Sequence, residues 1–357
     1  MTVLLSDSQI LDLANGTLKR MDAPRFSQIA TRLQVYEVLS RWLKKDKVVI
    51  SSGIGMSDQL MVRTGGSARH APISAADDVR IVDLMAKIEV PWAHLRANWG
   101  FYRQELLMNR GKELVYKILS PREGGAMIDI ADALEVGAWR AALPGDVAMP
   151  LGVPFWVVKS ATAGFNGGNP AGFSTCGGID ASAVANHRNY TFSFSAYSRS
   201  DLFKKWATAH RLTRWQSPVN IPDCRSGNGS RYRYYANTVT VGNIEEYADT
   251  RNDNLGWDVA GESVKSDRSS DVGYFDGIIT YKRHPIVHVP QLDADTSEPI
   301  YGLDHDSFRT TILEGDNLRR SDAMILLPNH NALGVFIDLS YQFACLERRN
   351  QMVAYKA

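Results

Sequence analysis

The chain has few of the features that identify a secreted, membrane-spanning or metal-binding protein. Its 357 residues include only three cysteines, Cys176, Cys224 and Cys345. They lie far apart and form no CxxC pair, so the sequence supports neither a zinc site nor a disulfide framework, and a reducing compartment is the simpler expectation. The N-terminus lacks a basic stretch followed by a long apolar core, so no signal peptide is predicted. The longest apolar runs, such as Pro154 to Val158, are far too short to span a bilayer.

A net charge of only +1 indicates no strong electrostatic attraction to nucleic acid, membranes or acidic substrates. No GxSxG, HExxH or dinucleotide-binding GxGxxG motif occurs either. One acidic and histidine-rich region keeps a soluble metal-dependent hydrolase open as an alternative: Asp293, Asp295, Asp304, His305 and Asp306, with His284 and His288 nearby. The last two lie four residues apart on a predicted strand, about 13 Å, which is too far for two ligands of one ion. We therefore predict no catalytic residue, no cofactor and no metal, and interpret the region as structural.

The longest helical signal runs from Phe101 to Leu143. Its first half is interrupted by Gly111, a weak point, and its second half opens with Ser120, Pro121 and Glu123. These three match a capping box with proline at the first helical position, which predicts that a helix begins there. Apolar residues then recur at three- and four-residue spacing and predict one buried stripe: Met127, Ile130, Ala131, Leu134, Ala138 and Trp139. The acidic residues of this half are assigned to the opposite, polar face: Asp129, Asp132 and Glu135.

The remaining segments predict a mixed α+β chain. Residues 1–47 hold an amphipathic helix with eight Lys/Arg against five Asp/Glu. Residues 48–98 suggest a long hairpin with a small, polar tip, which cannot form a core of its own and must lie on something else. Beyond residue 145, a strand is predicted at Phe155 to Val158, an irregular surface loop at residues 163–178 and strands at Arg231 to Val241 and Leu333 to Cys345. The tail from Glu347 looks short and polar.

Several phrases of the sequence, taken with this order of elements, resemble the major capsid proteins of tailed bacteriophages with the HK97-type fold. They are ELLMNRGKELVYKILSPREGGAMIDIADALEVGAW, GFNGGNPAGFS, NDNLGWD, HVPQLDADTSEPIYGLDHDSF and FACLERRN. The resemblance implies an α+β capsid fold with an N-terminal arm and helix (1–47), an extended E-loop hairpin (48–98), a P-domain spine helix (99–145), an A-domain (146–275) and closing strands shared by the A- and P-domains (276–357).

The same resemblance implies a structural protein without enzymatic activity. Such a protein self-assembles, through hexamers and pentamers, into the icosahedral head shell that encloses double-stranded DNA. Its place is the virion, after assembly in the host cytoplasm, and no membrane partner is expected. An encapsulin-type nanocompartment, which encloses a protein cargo, is the alternative on the same fold.

Two departures from the family pattern concern partners and contacts. Some members carry an N-terminal scaffolding domain, whereas the candidate arm here starts at Met1, so a separate scaffolding protein, or none, is expected beside a portal and a candidate cement or decoration protein. Some members cross-link through an E-loop lysine, but no lysine lies between Lys47 and Lys87. Non-covalent hairpin contacts between subunits are therefore assigned to Arg63, Arg69, His70 and Arg80. Non-specific contacts with DNA are assigned to Lys19, Arg20, Arg25 and Arg32 of the arm.

Overall fold

The computed structural model describes residues 35–64, 66, 68, 70, 72, 82–108, 112–214, 232–253, 272–275, 278–326 and 329–357. Two consecutive helical turns, Val38–Trp42 and Leu43–Lys45, form what we call the junction segment. The long helix is Lys112–Trp139. The other helical segments are Arg103–Met108, Val153–Trp156, Ala185–His187, Arg199–Phe203, Lys204–Leu212, Thr238–Asp253, Pro290–Leu292 and Arg348–Asn350.

The strands of the described residues form two large sheets and one hairpin. In chain order they are β1 (Lys47–Ile50), β2 (Gly55–Met61), β3 (Met85–Pro91), β4 (Ala93–Tyr102), β5 (Gly164–Gly167), β6 (Asn189–Phe194), β7 (Tyr232–Ala236), β8 (Val272–Phe275), β9 (Ile278–Tyr281), β10 (His284–His288), β11 (Ile300–Asp304), β12 (Phe308–Leu313), β13 (Arg319–Arg320), β14 (Met324–Leu326), β15 (Asn329–Cys345) and β16 (Met352–Lys356).

The first sheet is organised around β15. This strand pairs antiparallel with β4 along one edge, and with β12, β13 and β14 along the other. β1 adds to β12 in parallel. The alternating apolar residues of β15, for which a buried face is expected, are all buried: Val335, Ile337, Leu339, Tyr341 and Phe343. From Leu339 onward the intervening Ser340, Gln342 and Ala344 are buried as well, so the second half of the strand is covered on both faces.

The second sheet has the order β5-β6-β16-β11-β7-β10-β9-β8. Its strand β16 lies between β6 and β11, and Met352, Val353 and Ala354 are completely buried. The prediction of a short polar tail is therefore wrong, because the apolar end of the chain completes this sheet. The predicted strand from Arg231 also ends early, at Ala236. A helix starts two residues later, where the Asp293 carboxylate accepts the Thr238 N–H at 2.8 Å.

The long helix runs without interruption through Ser120 and Pro121. The predicted helix start at this capping box is therefore wrong, and Pro121 occupies an interior position. Ser120 is buried, and within the described residues its hydroxyl has no hydrogen-bond partner. Upstream, the helical signal predicted from Phe101 is also corrected, since β4 extends to Tyr102 and a helix begins only at Arg103.

Trp42 of the junction segment lies where the main elements meet. Its ring centroid is 5.6 Å from that of Trp139 on the long helix and 5.8 Å from that of Tyr235 in the second sheet. Phe308 and Phe343 of the first sheet lie at 5.5 and 5.7 Å. Edge and tilted contacts at these separations are the favourable arrangements for aromatic rings. The junction segment is therefore packed into the main core. The predicted domain boundaries at 47, 98, 145 and 275 remain predictions.

Candidate assembly surfaces and their buried anchor

The hairpin formed by β2 and β3 packs one face against its own chain. The strands pair from Gly55 opposite Pro91 to Met61 opposite Met85. Apolar residues of the inner face are buried, with Ile88 and Val90 in the main core and Met56 against the end of β15. Two hydrogen bonds fix it further: the Glu89 N–H donates to the Gly177 carbonyl at 3.1 Å, and the Asn186 amide donates to the Val62 carbonyl at 3.1 Å.

The outer face of the hairpin carries exposed side chains. Met61 and Met85, cross-strand neighbours at its far end, are both largely exposed. Lys87 and Glu89 form an ion pair on the same face. Arg63 and His70, predicted to contact neighbouring subunits, are exposed, whereas Arg69 and Arg80 lie outside the described residues. The four arm cations predicted to contact DNA also lie outside the described residues: Lys19, Arg20, Arg25 and Arg32.

The glycine-rich loop of residues 163–178 is more ordered than a surface loop. It contributes β5 to the second sheet, and it buries Cys176. The prediction of an irregular surface loop is thus wrong in part, because a buried arginine holds this loop from inside. Arg348 donates to the carbonyls of Gly167 and Gly168 at 3.3 and 2.8 Å, and to those of Trp156 and His187 at 2.7 and 2.8 Å.

Two buried carboxylates flank the start of the junction segment. Glu135 of the long helix accepts the Val38 N–H at 2.6 Å and the Trp139 indole N–H at 3.2 Å. Its burial raises its pKa to about 7. Glu37 accepts from Arg233 at 3.0 Å and from the Tyr235 hydroxyl at 3.4 Å. Burial raises the Glu37 pKa as well, against the opposing effect of the Arg41 charge.

The assignment of Glu135 to the polar face of the long helix is therefore wrong. The five residues of the stripe from Ile130 to Trp139 are buried as predicted, and Met127 is half-buried. Glu135 itself is only 1% exposed. The pattern does contain a signal for this, since Glu135 stands four residues from both Ala131 and Trp139 and so shares their side of the helix.

The acidic and histidine-rich region is engaged by protein groups. Asp304 is buried and accepts from Ser307 and Asn350 at 3.3 and 3.4 Å, while burial raises its pKa. His305 bonds the Tyr235 hydroxyl at 2.7 Å. Elsewhere in the region, Asp295 pairs with Lys159 at 2.5 Å, and His288 bonds the Thr238 hydroxyl at 2.6 Å. Among the described residues, no three His, Cys, Asp or Glu side chains are grouped as metal ligands.

The alternating arginines and tyrosines at the start of β7 are a pattern that could offer rings for base stacking. Tyr232, Tyr234 and Tyr235 are buried, however, so their rings serve packing and offer no such surface. No helix in the described ranges is both long and apolar enough to cross a bilayer.

No protein-family model and no curated protein matches the chain. Solved structures do. The cyanophage A-1(L) capsid asymmetric unit gives a TM-score of 0.60 at 12% identity, covering 94% of this chain and 96% of that chain. The capsid of a native GTA particle gives 0.55 at 12% identity, covering 95% and 96%. The capsid of Myoviridae phage XM1 gives 0.53 at 10% identity, covering 100% of both. The chain therefore has the α+β, HK97-like phage capsid fold that the resemblance implied.

Proposed function

We propose that the chain is the major capsid protein of a tailed phage. In this role, copies of the chain assemble through hexamers and pentamers into the icosahedral head shell around double-stranded DNA. One observation carries the proposal: the similarity to phage capsid structures spans 94–100% of this chain and 96–100% of theirs. Almost none of the given sequence falls outside the capsid fold. Fold alone does not determine function, so assembly itself is the property to test.

The described surface supports such an assembly. A net charge of +1 allows many copies to approach one another without strong mutual repulsion. The hairpin carries exposed methionines and Arg63 at its far end. We assign to the hairpin tip the contacts with neighbouring subunits, through Arg63, Arg69, His70 and Arg80, within obligate interfaces of roughly 2,000 Å² or more.

The proposal extends to partners and location. The arm residues Lys19, Arg20, Arg25 and Arg32 contact DNA phosphates without sequence preference, since lysine and arginine neutralise the backbone in any sequence. A portal, a separate scaffolding protein and a cement or decoration protein are the candidate partners. The shell forms in the host cytoplasm and persists in the virion. The role is structural and involves no catalysis.

Negative-stain electron microscopy, with size-exclusion chromatography of the full chain, tests the assignment. Closed shells, or rings of five and six copies, are expected when the full chain is expressed. Double-stranded DNA protected from nuclease inside shells identifies the phage head, whereas a protein cargo without nucleic acid identifies the nanocompartment. A discrete monomer or dimer under the same conditions, with stoichiometric bound metal, would overturn the capsid assignment in favour of the hydrolase.

A further inference from the structure

The long helix holds the start of the junction segment through one side chain. The first N–H groups of a helix have no partner within that helix and need an acceptor from elsewhere. The Val38 N–H, at the start of the junction segment, finds this acceptor in the Glu135 carboxylate at 2.6 Å, across 97 positions of sequence. Val38 is completely buried and Glu135 is 1% exposed. This bond therefore lies inside the protein, where water does not compete with it.

Among the described residues, no cation pairs with the Glu135 carboxylate. Its second oxygen accepts the neutral Trp139 indole N–H at 3.2 Å. A buried charge without a counter-charge is unfavourable, so such groups tend to become neutral. Two further carboxylates, Glu37 and Asp132, also oppose its ionisation.

The nearby cations and titratable groups are engaged with other partners. Arg41 of the junction segment pairs with Asp46 at 3.4 Å and lies 3.9 Å from Glu37. Arg233 of β7 pairs with Glu37 at 3.0 Å. Two groups complete the surroundings on the side of the second sheet: the Tyr235 hydroxyl bonds His305 at 2.7 Å and accepts the Trp42 indole N–H at 3.1 Å. These two arginines thus compensate Glu37 and Asp46, and no described cation is left to pair with Glu135.

We propose that Glu135 is a pH-responsive latch, which holds the junction segment firmly while its carboxyl group is protonated and loosens it on ionisation. The segment leads into β1 of the first sheet, so the latch controls how firmly residues 38–45 are held against the long helix. The proposal concerns the single chain. It goes beyond the capsid assignment and does not depend on it.

The direction in which pH changes docking follows from the pKa of Glu135 in the docked state and in the released state. Released into water, Glu135 has its ordinary pKa of 4.5, and in the docked state burial raises that pKa to about 7. The docked state therefore binds more protons between these two values. Docking is strongest at acidic pH, weakens as the pH rises through about 7, and changes little above that. With these values the released fraction increases about tenfold from pH 6 to pH 8.

Hydrogen exchange of the full-length chain at pH 6 and pH 8 tests the latch, with rates corrected for the intrinsic pH dependence of exchange. Peptides covering residues 38–45 are expected to lose about tenfold in protection at pH 8. Peptides from residues 335–345 of β15 serve as the internal reference and are expected to be unchanged. A loss of protection spread equally over both regions would overturn the proposal, even without a variant.

Two variants assign the effect to one side chain. Glu135→Gln keeps an oxygen that accepts the Val38 N–H but does not titrate, so its protection of residues 38–45 should be the same at both pH values. Asp132→Asn removes a neighbouring carboxylate of the same helix and should retain the pH dependence. If the tenfold change persists in Glu135→Gln, Glu135 is not the latch.

Discussion

Arg348 is an arginine with only 1% of its surface exposed. Its guanidinium group donates to four backbone carbonyls and, at 3.2 Å, to the Asn189 side chain. These acceptors belong to segments 159 to 192 residues away in the chain. The side chain therefore joins the glycine-rich loop, the helix Val153–Trp156 and the start of β6 to the C-terminal end of the chain.

Arg348→Met is expected to destabilise the subunit by about 3 kcal/mol or more, because it leaves several buried carbonyls without donors. Chemical denaturation of the isolated subunit measures the change. Arg349→Met is the matched control. Arg349 is exposed, donates to the side-chain amide oxygen of Asn186 at 3.3 Å and lies over the Phe165 ring. Its loss should therefore cost below about 1 kcal/mol. Equal effects of the two substitutions would show that Arg348 does not join these segments.

The sequence did not predict that two charged residues, Arg348 and Glu135, are buried. Arginine and glutamate are almost never fully buried unless they have partners, so the expected position for Arg348 and Glu135 is the surface. The partners that reverse this expectation are backbone groups distant in sequence, such as the Val38 N–H and the Trp156 carbonyl. No local spacing reveals them. Only the position of Glu135 within the apolar stripe indicated that its side chain is buried.

At the scale of elements, Ser120 and Pro121 can be interpreted either as the start of a helix or as interior positions of one continuous helix. If Ser120 capped a helix, Ser120→Ala would cost about 1 kcal/mol. In the continuous helix its hydroxyl is buried and bonded to none of the described residues, so we expect Ser120→Ala to be neutral or stabilising. Likewise, Pro121 removes an interior hydrogen bond, and Pro121→Ala should stabilise the chain by about 1–3 kcal/mol.

Thermal or chemical unfolding of these two variants decides between the interpretations. Pro144→Ala is the control, since Pro144 is exposed and follows the end of the helix, where removing proline restores no helical bond. Destabilisation by Ser120→Ala, together with no gain from Pro121→Ala, would restore the capping box and contradict the continuous helix.

Elements with a strong period were predictable, and short ones were not. The alternating apolar residues of β15 extend over several strand positions and the apolar stripe of the long helix over two or more turns, and both sets pack in the main core. Phe155 to Val158 was predicted as a strand, but Val153–Trp156 is a single helical turn. Four apolar residues fit a strand and a buried helix equally well. Here Pro154, near the N-terminus of that turn, was the available signal for a helix start.

At the scale of the whole molecule, the sheet topology could not be predicted from the sequence patterns. Within the region 276–357, for which the resemblance implied closing strands, two successive strands enter different sheets: β11 pairs with β7 and β16, and β12 with β15 and β1. Pairing between distant strands depends on packing of the complete chain rather than on local preference. The fold class was accessible chiefly because the sequence resembles a family, and the solved capsid structures agree with it.

Assembly is the property on which the hairpin assignment depends. Arg63 is exposed near the far end of the hairpin, so Arg63→Glu should change subunit stability by less than about 0.5 kcal/mol. If Arg63 contacts a neighbouring copy, the same reversal of charge should suppress closed shells in electron microscopy, because a like-charge contact is repeated at every interface.

Lys204→Glu is the control, since Lys204 is exposed on the helix Lys204–Leu212, outside the hairpin, and shells should persist. Normal shells from Arg63→Glu would remove Arg63 from the interface. The exposed pair Met61 and Met85 would then be the part of the hairpin left to make an apolar contact between subunits.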